Sequence, residues 1–217
     1  MIEDFLDEEM DGYTEGILSK FSDDVDEINI SGCQIIGIID LSRFTNLIKF
    51  SCNKNEITNI KGFPSSLEYL NCSYNFIETL DLSFTNIIYC LVEDNQLKIL
   101  KLPNKFIHEV HCAFNDLQTI ENFPDNITYL DCSKNNITKI DKFPSELITI
   151  IMSYNPIEYL PEQFPNNIQT ICCDYTKIGF INYLPPSLRW FYCHNSLISK
   201  KHESRLIRKY KWIRFFI

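Results

Sequence analysis

Nine cysteines and four histidines are the residues of this chain with the greatest capacity for chemistry. Thiols can hold zinc, form disulfides or attack a substrate, and imidazoles can bind metals or transfer protons. The spacing favours none of these roles, because the number of cysteines is odd, no C-x-x-C pair occurs and the histidines lack a metal-ligand spacing. We therefore predict no metal site and no cofactor, and a reduced, intracellular protein.

Most of the cysteines instead follow a repeat. One column of the repeat contains Cys52, Cys72, Cys112, Cys132, Cys173 and Cys193. Ile30, Val92 and Met152 occupy the same column in other units, which indicates that the thiols serve as small core residues. Cys172 is predicted to point outwards and is the best candidate for a reactive thiol. An enzyme or ligase fragment that uses Cys172 or Cys173 is therefore one alternative function.

Asparagine marks the repeat most clearly, because it recurs at a constant interval of twenty residues. The members of this column are Asn55, Asn75, Asn95, Asn115, Asn135 and Asn155. The flanking residues repeat as well, and the unit reads P-x-x-L-x-x-L-x-C-x-x-N-x-I-x-x-I. We predict that these asparagines form a structural ladder, in which each amide satisfies backbone groups of its own unit and of an adjacent one.

This unit resembles the leucine-rich-repeat family, whose signature is L-x-x-L-x-L-x-x-N/C-x-L. The resemblance covers residues 25–198. Its short, proline-led form is similar to the repeats of bacterial effector proteins, and the composition is similar to that of leucine-rich-repeat proteins from giant DNA viruses of amoebae. The resemblance implies a repeat solenoid, a horseshoe or arc with a parallel β-sheet on the concave side and a mostly irregular or short-turn convex side. It also implies capping termini.

The two ends of the chain carry opposite charge. Residues 1–27 contain eleven acids and one lysine, whereas residues 200–217 contain seven lysines or arginines and one glutamate. We divide the chain into an acidic N-terminal cap at 1–24, an array of about nine units at 25–198 and a basic C-terminal helix or cap at 199–217. At helical spacing, Leu206, Tyr210, Ile213 and Ile217 share one face, which predicts a helix that seals the last repeat. A basic amphipathic helix can also lie on an anionic membrane.

Alternate residues of a strand face opposite sides, so the repeat assigns every second strand residue to the concave surface. Large rings recur there, and Tyr and Trp are enriched at binding hot spots. Tyr also favours strands for its own sake, which is the competing explanation. The predicted partner-binding residues are Tyr69, Tyr89, Leu91, His111, Tyr129, Ile151, Trp190 and Tyr192.

The net charge and the absence of catalytic motifs limit the functional classes that we consider. A net charge of −9 argues against nucleic acid as a partner, and the acidic start does not read as an export signal. No nucleophile-elbow, Walker or dinucleotide motif occurs. We expect a non-catalytic protein–protein interaction module of the cytoplasm, or of the host cytoplasm if the protein is viral. The sequence does not identify the protein partner or the oligomeric state. The alternatives are a membrane-associated scaffold that uses the basic helix, and a remnant of a leucine-rich-repeat ubiquitin-ligase effector without its catalytic domain.

Overall fold

The computed structural model describes residues 16–120 and 123–217 and divides into two compact units, Met1–Ile107 and His108–Ile217. The acidic cap predicted at 1–24 falls mainly outside the described residues. In its described part, residues 16–18 are helical and Leu18 is buried.

The first unit contains two sets of short parallel strands. The strands of its main sheet are β1 (Glu27–Asn29), β3 (Lys49–Ser51), β5 (Tyr69–Asn71) and β7 (Tyr89–Leu91), paired in that order. Each repeat forms one turn of the solenoid, which we call a coil. On the side of the coils opposite the main sheet, β2 (Ile36–Asp40) pairs in parallel with β4 (Glu56–Lys61), and β6 (Thr79–Asp81) pairs in parallel with β8 (Ile99–Lys101). The return side of this unit is therefore more regular than the sequence indicated.

The second unit repeats the main sheet alone. Its strands are β9 (Glu109–His111), β10 (Tyr129–Asp131), β11 (Thr149–Ile151), β12 (Thr170–Cys172), β13 (Trp190–Tyr192) and β14 (Arg214–Phe216). All are parallel and pair in chain order. The predicted repeat solenoid with a parallel sheet is thus confirmed, with about nine turns and few helices. In the described parts of the chain, no helix has both the length and the apolar character needed to cross a bilayer.

The core of each unit consists of columns of residues from successive coils. The middle residue of nearly every strand of the main sheets is fully buried, as with Leu70 and Leu130, while its two neighbours stay at least partly exposed. The predicted cysteine column, for example Cys72 and Cys132, lies in the core as well. All nine cysteines are free thiols. Burial of these apolar columns is the main favourable contribution to folding, since a coil that is open at its ends can bury its apolar side only against its neighbours.

The asparagine column connects each coil to the one before it. Asn135 is representative: its Oδ1 accepts from Leu117 N at 2.9 Å, and its Nδ2 donates to Cys112 O at 2.9 Å and to Cys132 O at 3.1 Å. Asn55, Asn75 and Asn155 repeat this pattern. Each amide therefore satisfies backbone groups that have turned away from the sheet ladder inside the protein.

The end of the second unit differs from the predicted helix over residues 200–217. The helix α1 spans only Lys200–Lys209, and residues 214–216 form β14 instead. Its apolar stripe does pack inwards, since Leu206 and Tyr210 are buried and the Tyr210 hydroxyl accepts from Leu184 N at 3.1 Å. The chain turns after Tyr210, where Ile213 N donates to Tyr210 O, and the last residues then add a strand to the sheet. The helical prediction is wrong for these residues because a backbone ladder was available to them.

Candidate partner-binding surface

The outward side chains of the strands make the sheet face of each unit. Cross-strand pairing places equivalent residues of successive coils side by side, about 4.8 Å apart. In the second unit one such row contains Glu109, Tyr129, Thr149, Thr170, Trp190 and Arg214. A second row contains His111, Asp131, Ile151, Cys172, Tyr192 and Phe216.

The predicted residues of the first unit lie together. Tyr69 and Tyr89 are cross-strand partners, and Leu91 pairs with Asn71 two residues further along the same strands. Tyr89 is exposed, whereas Tyr69 and Leu91 are half-buried. The structure thus brings these three residues into one small group on the sheet face of the first unit.

Two groups of rings lie at opposite ends of the sheet face of the second unit. At one end the rings of His111 and Tyr129 stack with centroids 4.8 Å apart. At the other end Trp190 is exposed, and Tyr192 stacks on Phe216 at 4.4 Å with nearly parallel planes. Three strand spacings separate Tyr129 from Trp190, which corresponds to about 14 Å. Phe216 was missed from the sequence because its segment was assigned to a helix.

Between the ring groups the surface is mixed apolar and acidic. Ile151 is half-buried next to Asp131, and Cys172 follows it in the same row. Asp131 Oδ1 accepts from Ser133 N at 3.0 Å, and Asp174 Oδ1 accepts from His194 N at 2.6 Å. Backbone contacts therefore fix both carboxylates in position, and they leave the centre of the face negative.

The chemistry of Cys172 does not suit a nucleophile. Burial, together with the charges of Asp174 and Asp131, raises the pKa of its thiol to about 12. A nucleophilic cysteine needs the opposite, a pKa lowered by a cation or a helix N-terminus. Among the described residues, no group of three or more His, Cys, Asp or Glu side chains has the arrangement needed to hold a metal ion.

A further set of exposed side chains, three rings and one lysine, borders the sheet face of the second unit at the turns that follow β9, β10, β11 and β12. Its members, which we call the edge ladder, are Phe114, Lys134, Tyr154 and Tyr175. The rings of Tyr154 and Tyr175 stack at 4.3 Å, and Lys134 Nζ lies 4.1 Å from the centroid of Phe114. The sequence carried a signal for this ladder, since each member occupies the repeat position just before the asparagine column.

Comparison with known proteins identifies the fold. No protein-family model matches the sequence, and no curated protein matches it. Among solved structures, YopM, a leucine-rich effector protein from Yersinia pestis, superposes with a TM-score of 0.66 at 18% identity over 80% of this chain and 58% of that chain. A Shigella effector leucine-rich-repeat domain matches with a TM-score of 0.62 at 17% identity, over 96% of this chain and 87% of that chain. An internalin from Listeria monocytogenes matches with a TM-score of 0.66 at 15% identity, over 94% and 62%.

This chain is shorter than several of the proteins that it matches. The present chain spans about half of YopM, 46% of the protein from Yersinia enterocolitica and 58% of that from Yersinia pestis. The predicted resemblance to the leucine-rich-repeat proteins of bacterial effectors is confirmed at the level of the fold.

Proposed function

We propose that this leucine-rich-repeat solenoid is a non-catalytic module that binds a protein partner on its sheet face. The observation that carries the proposal is the exposure of large rings at fixed positions on a rigid sheet, above all Trp190 and Tyr192 of the second unit. The group of Tyr69, Tyr89 and Leu91 offers a further contact area on the first unit.

The rings are suited to binding because the strands hold them in place before a partner arrives. The stack of Tyr192 on Phe216, and that of His111 on Tyr129, restricts side-chain rotation. A restricted ring loses little conformational entropy on binding while it buries a large area. Truncation of one such anchor in a protein interface commonly costs about 2 kcal/mol or more of binding free energy.

The absence of catalysis is part of the proposal and has its own support. The pKa of Cys172 is raised instead of lowered, and Cys173 is fully buried. The two cysteines named in the enzyme alternative therefore lack either the protonation state or the access that nucleophilic catalysis needs. We also propose that the protein acts in a reducing compartment, the cytoplasm, because most of its cysteines are buried core residues.

A membrane is the less favoured partner. The apolar residues that would enter a bilayer from α1 include Leu206 and Tyr210, and both are buried against the last coil. Ile207 and Trp212 are exposed beside the basic residues, but they do not form the wide apolar stripe of an interfacial helix. The structure of this end suits a cap, and the sheet face remains the better binding surface.

Affinity capture from native cell extract, quantified by mass spectrometry, tests the proposal. The test variant is Trp190→Ala with Tyr192→Ala, and we expect at least a tenfold drop in the capture of specific partners, about 1.4 kcal/mol or more. The matched control is Tyr159→Ala with Tyr183→Ala, which removes two similarly exposed rings from return segments outside the sheet. Circular dichroism must show that both variants are folded.

The outcome is decided by the difference between the two variants. Loss of partners in the sheet-face variant alone supports binding at this face. Equal capture by the wild type and the sheet-face variant, or loss in the control alone, would place binding elsewhere. Flotation with anionic vesicles tests the membrane alternative. Vesicle binding that requires residues 200–217 would favour a membrane-associated scaffold.

A further inference from the structure

Along each strand of the sheet, successive residues direct their backbone hydrogen bonds alternately to the preceding strand and to the following strand. Outward-facing residues hydrogen-bond to the preceding strand, as when Lys49 N donates to Asp26 O at 2.9 Å. Inward-facing residues bond to the following strand, as when Ile30 N donates to Ser51 O at 2.8 Å. In a parallel ladder, the hydrogen-bonding groups on one side of every strand therefore point to the preceding strand, its backward side, and those on the other side point to the following strand, its forward side.

The last strand leaves its forward side open. Arg214 N donates to Arg189 O at 2.8 Å and Phe216 O accepts from Cys193 N at 2.8 Å, so both residues face back towards β13. By alternation, the N–H and C=O of Phe215 point away from β13. In the part of the chain that the structure describes, no further strand pairs with β14 on that side.

The first strand, β1, has the complementary unpaired edge, on its side away from β3. Asp26 and Ile30 bond to β3, so the N–H and C=O of Glu27 and Asn29 point the other way. Among the described strands none pairs with β1 on that side. Unpaired edges of this kind are templates for the addition of another strand.

We propose that β1 of a second copy of this chain pairs in parallel with β14 and so continues the sheet from one molecule to the next. The hydrogen-bond pattern is the one already used between neighbouring coils. Phe215 N would donate to Glu27 O of the second copy, and Asn29 N of that copy would donate to Phe215 O. This register places Arg214 opposite Glu27 and Phe215 opposite Ile28.

Charge selects a second copy over an arbitrary peptide. Arg214 and Glu27 occupy equivalent outward positions of their own strands, and both are exposed, so the proposed register makes them a cross-strand ion pair. The surroundings agree with this pair. Asp23, Asp24 and Asp26 lead into β1, and Lys209 and Lys211 lead into β14. Opposite fields at the two edges steer a copy head-to-tail and disfavour contacts between two identical edges.

This contact is independent of the sheet-face function and has a distinct signature. It is heterologous, so each added copy presents a fresh edge and assembly continues unless a ring closes. We therefore expect the weight-average mass to rise with concentration above the monomer mass of 25.6 kDa. The mass should fall when salt is added, because the charges at the edges are exposed and screened.

Charge reversal in the full-length chain tests the proposed register. Sedimentation velocity is measured from about 1 to about 500 µM, a range that covers weak association. Arg214→Glu alone and Glu27→Arg alone each place like charges opposite one another and should weaken association about tenfold or more. An equimolar mixture of the two variants restores opposite charges at both kinds of contact, and we expect it to assemble as the wild type does.

Arg208→Glu changes the net charge equally but lies on the exposed side of α1, and it should assemble like the wild type apart from a small loss of steering. A wild type that stays monomeric over the whole range overturns the proposal. So does assembly that Arg214→Glu leaves unchanged, or a mixture of the two reversals that fails to regain assembly while each variant is folded by circular dichroism.

Discussion

Replacement of Asn135 tests the physical basis of the solenoid, because the structure specifies which hydrogen bonds depend on this one side chain. Three carbonyls accept from its Nδ2, but each has a second donor: Asn115 for Cys112 O, Asn155 for Cys132 O and Phe114 N for Ser133 O. Leu117 N donates to Asn135 Oδ1 at 2.9 Å, and that bond is the one for which the structure offers no substitute.

The expected cost follows from this inventory. Asn135→Ala strands one buried N–H, at about 1–3 kcal/mol, and removes three additional bonds worth about 0.5 kcal/mol each. We expect a total loss of about 2.5–4.5 kcal/mol in the free energy of unfolding. The neighbouring Asn136 is exposed, so Asn136→Ala is the matched control and should change stability by less than about 0.5 kcal/mol.

Two further replacements at position 135 separate the acceptor from the donor. Thr176 occupies the equivalent position of a later coil and donates from Oγ1 to Cys173 O at 2.8 Å, so Asn135→Thr should be milder than Asn135→Ala. Asn135→Asp keeps the acceptor for Leu117 N but turns a second oxygen towards carbonyls. Burial would raise the pKa of this aspartate above its unfolded value, so the variant should be the least stable at pH 7 and gain stability as the pH falls.

The assay is urea unfolding followed by tryptophan fluorescence. Both tryptophans, Trp190 and Trp212, lie in the same unit as Asn135, so the signal reports the unfolding of that unit. A loss below about 1 kcal/mol for Asn135→Ala would refute the reasoning, because it would mean that the orphaned Leu117 N–H finds another partner. Wild-type stability of Asn135→Asp at pH 7 would refute it as well.

Two other predictions concern titratable side chains. Lys101 and Ser83 lower the pKa of Asp81 to about 2 from an ordinary value of 3.8. Its stabilising contribution is therefore complete above the unfolded value and is lost as the pH falls through about 2, so wild type and Asp81→Asn should converge in urea unfolding by far-UV circular dichroism over that interval. In a Cys33→Ser background, we expect Cys172 to react slowly with a soluble disulfide reagent at pH 7 and to gain rate up to pH 9 and beyond, because its pKa is raised to about 12. Rapid labelling at pH 7 would contradict this expectation and would return the enzyme alternative to consideration.

The sequence predicts the coil well because two independent patterns agree in it. The asparagine interval sets the length of each turn, and the alternation around Leu70 or Leu130 sets which side chains point inwards. Both patterns recur in many copies, so a chance match in one coil does not mislead. The same alternation placed Tyr69 next to Tyr89 and put Trp190 on the surface.

The unrepeated parts of the chain were harder to predict. Leu206, Tyr210 and Ile213 do have helical spacing and are buried, but only the first two owe their burial to the helix. Three residues of strand at 214–216 leave too short a pattern to compete with that spacing. What makes them a strand is the open side of β13, a tertiary feature that local sequence does not carry. Phe216 was lost from the predicted surface for this reason.

Packing of the core does not explain why three residues of the edge ladder are aromatic. Phe114, Tyr154 and Tyr175 have φ values of 55°, 58° and 54°, in the left-handed region that disfavours bulky side chains. Asp94 and Asn195 hold the equivalent position at φ 54° and 52°, and residues of their type adopt it more easily. The three rings are about half exposed as well, so they gain little burial in return. Lys134 holds the same position at φ 52°, so the backbone there accepts several residue types. Since burial does not explain the three rings, we expect the proposed binding surface of the second unit to extend from the strands to the turns that follow them.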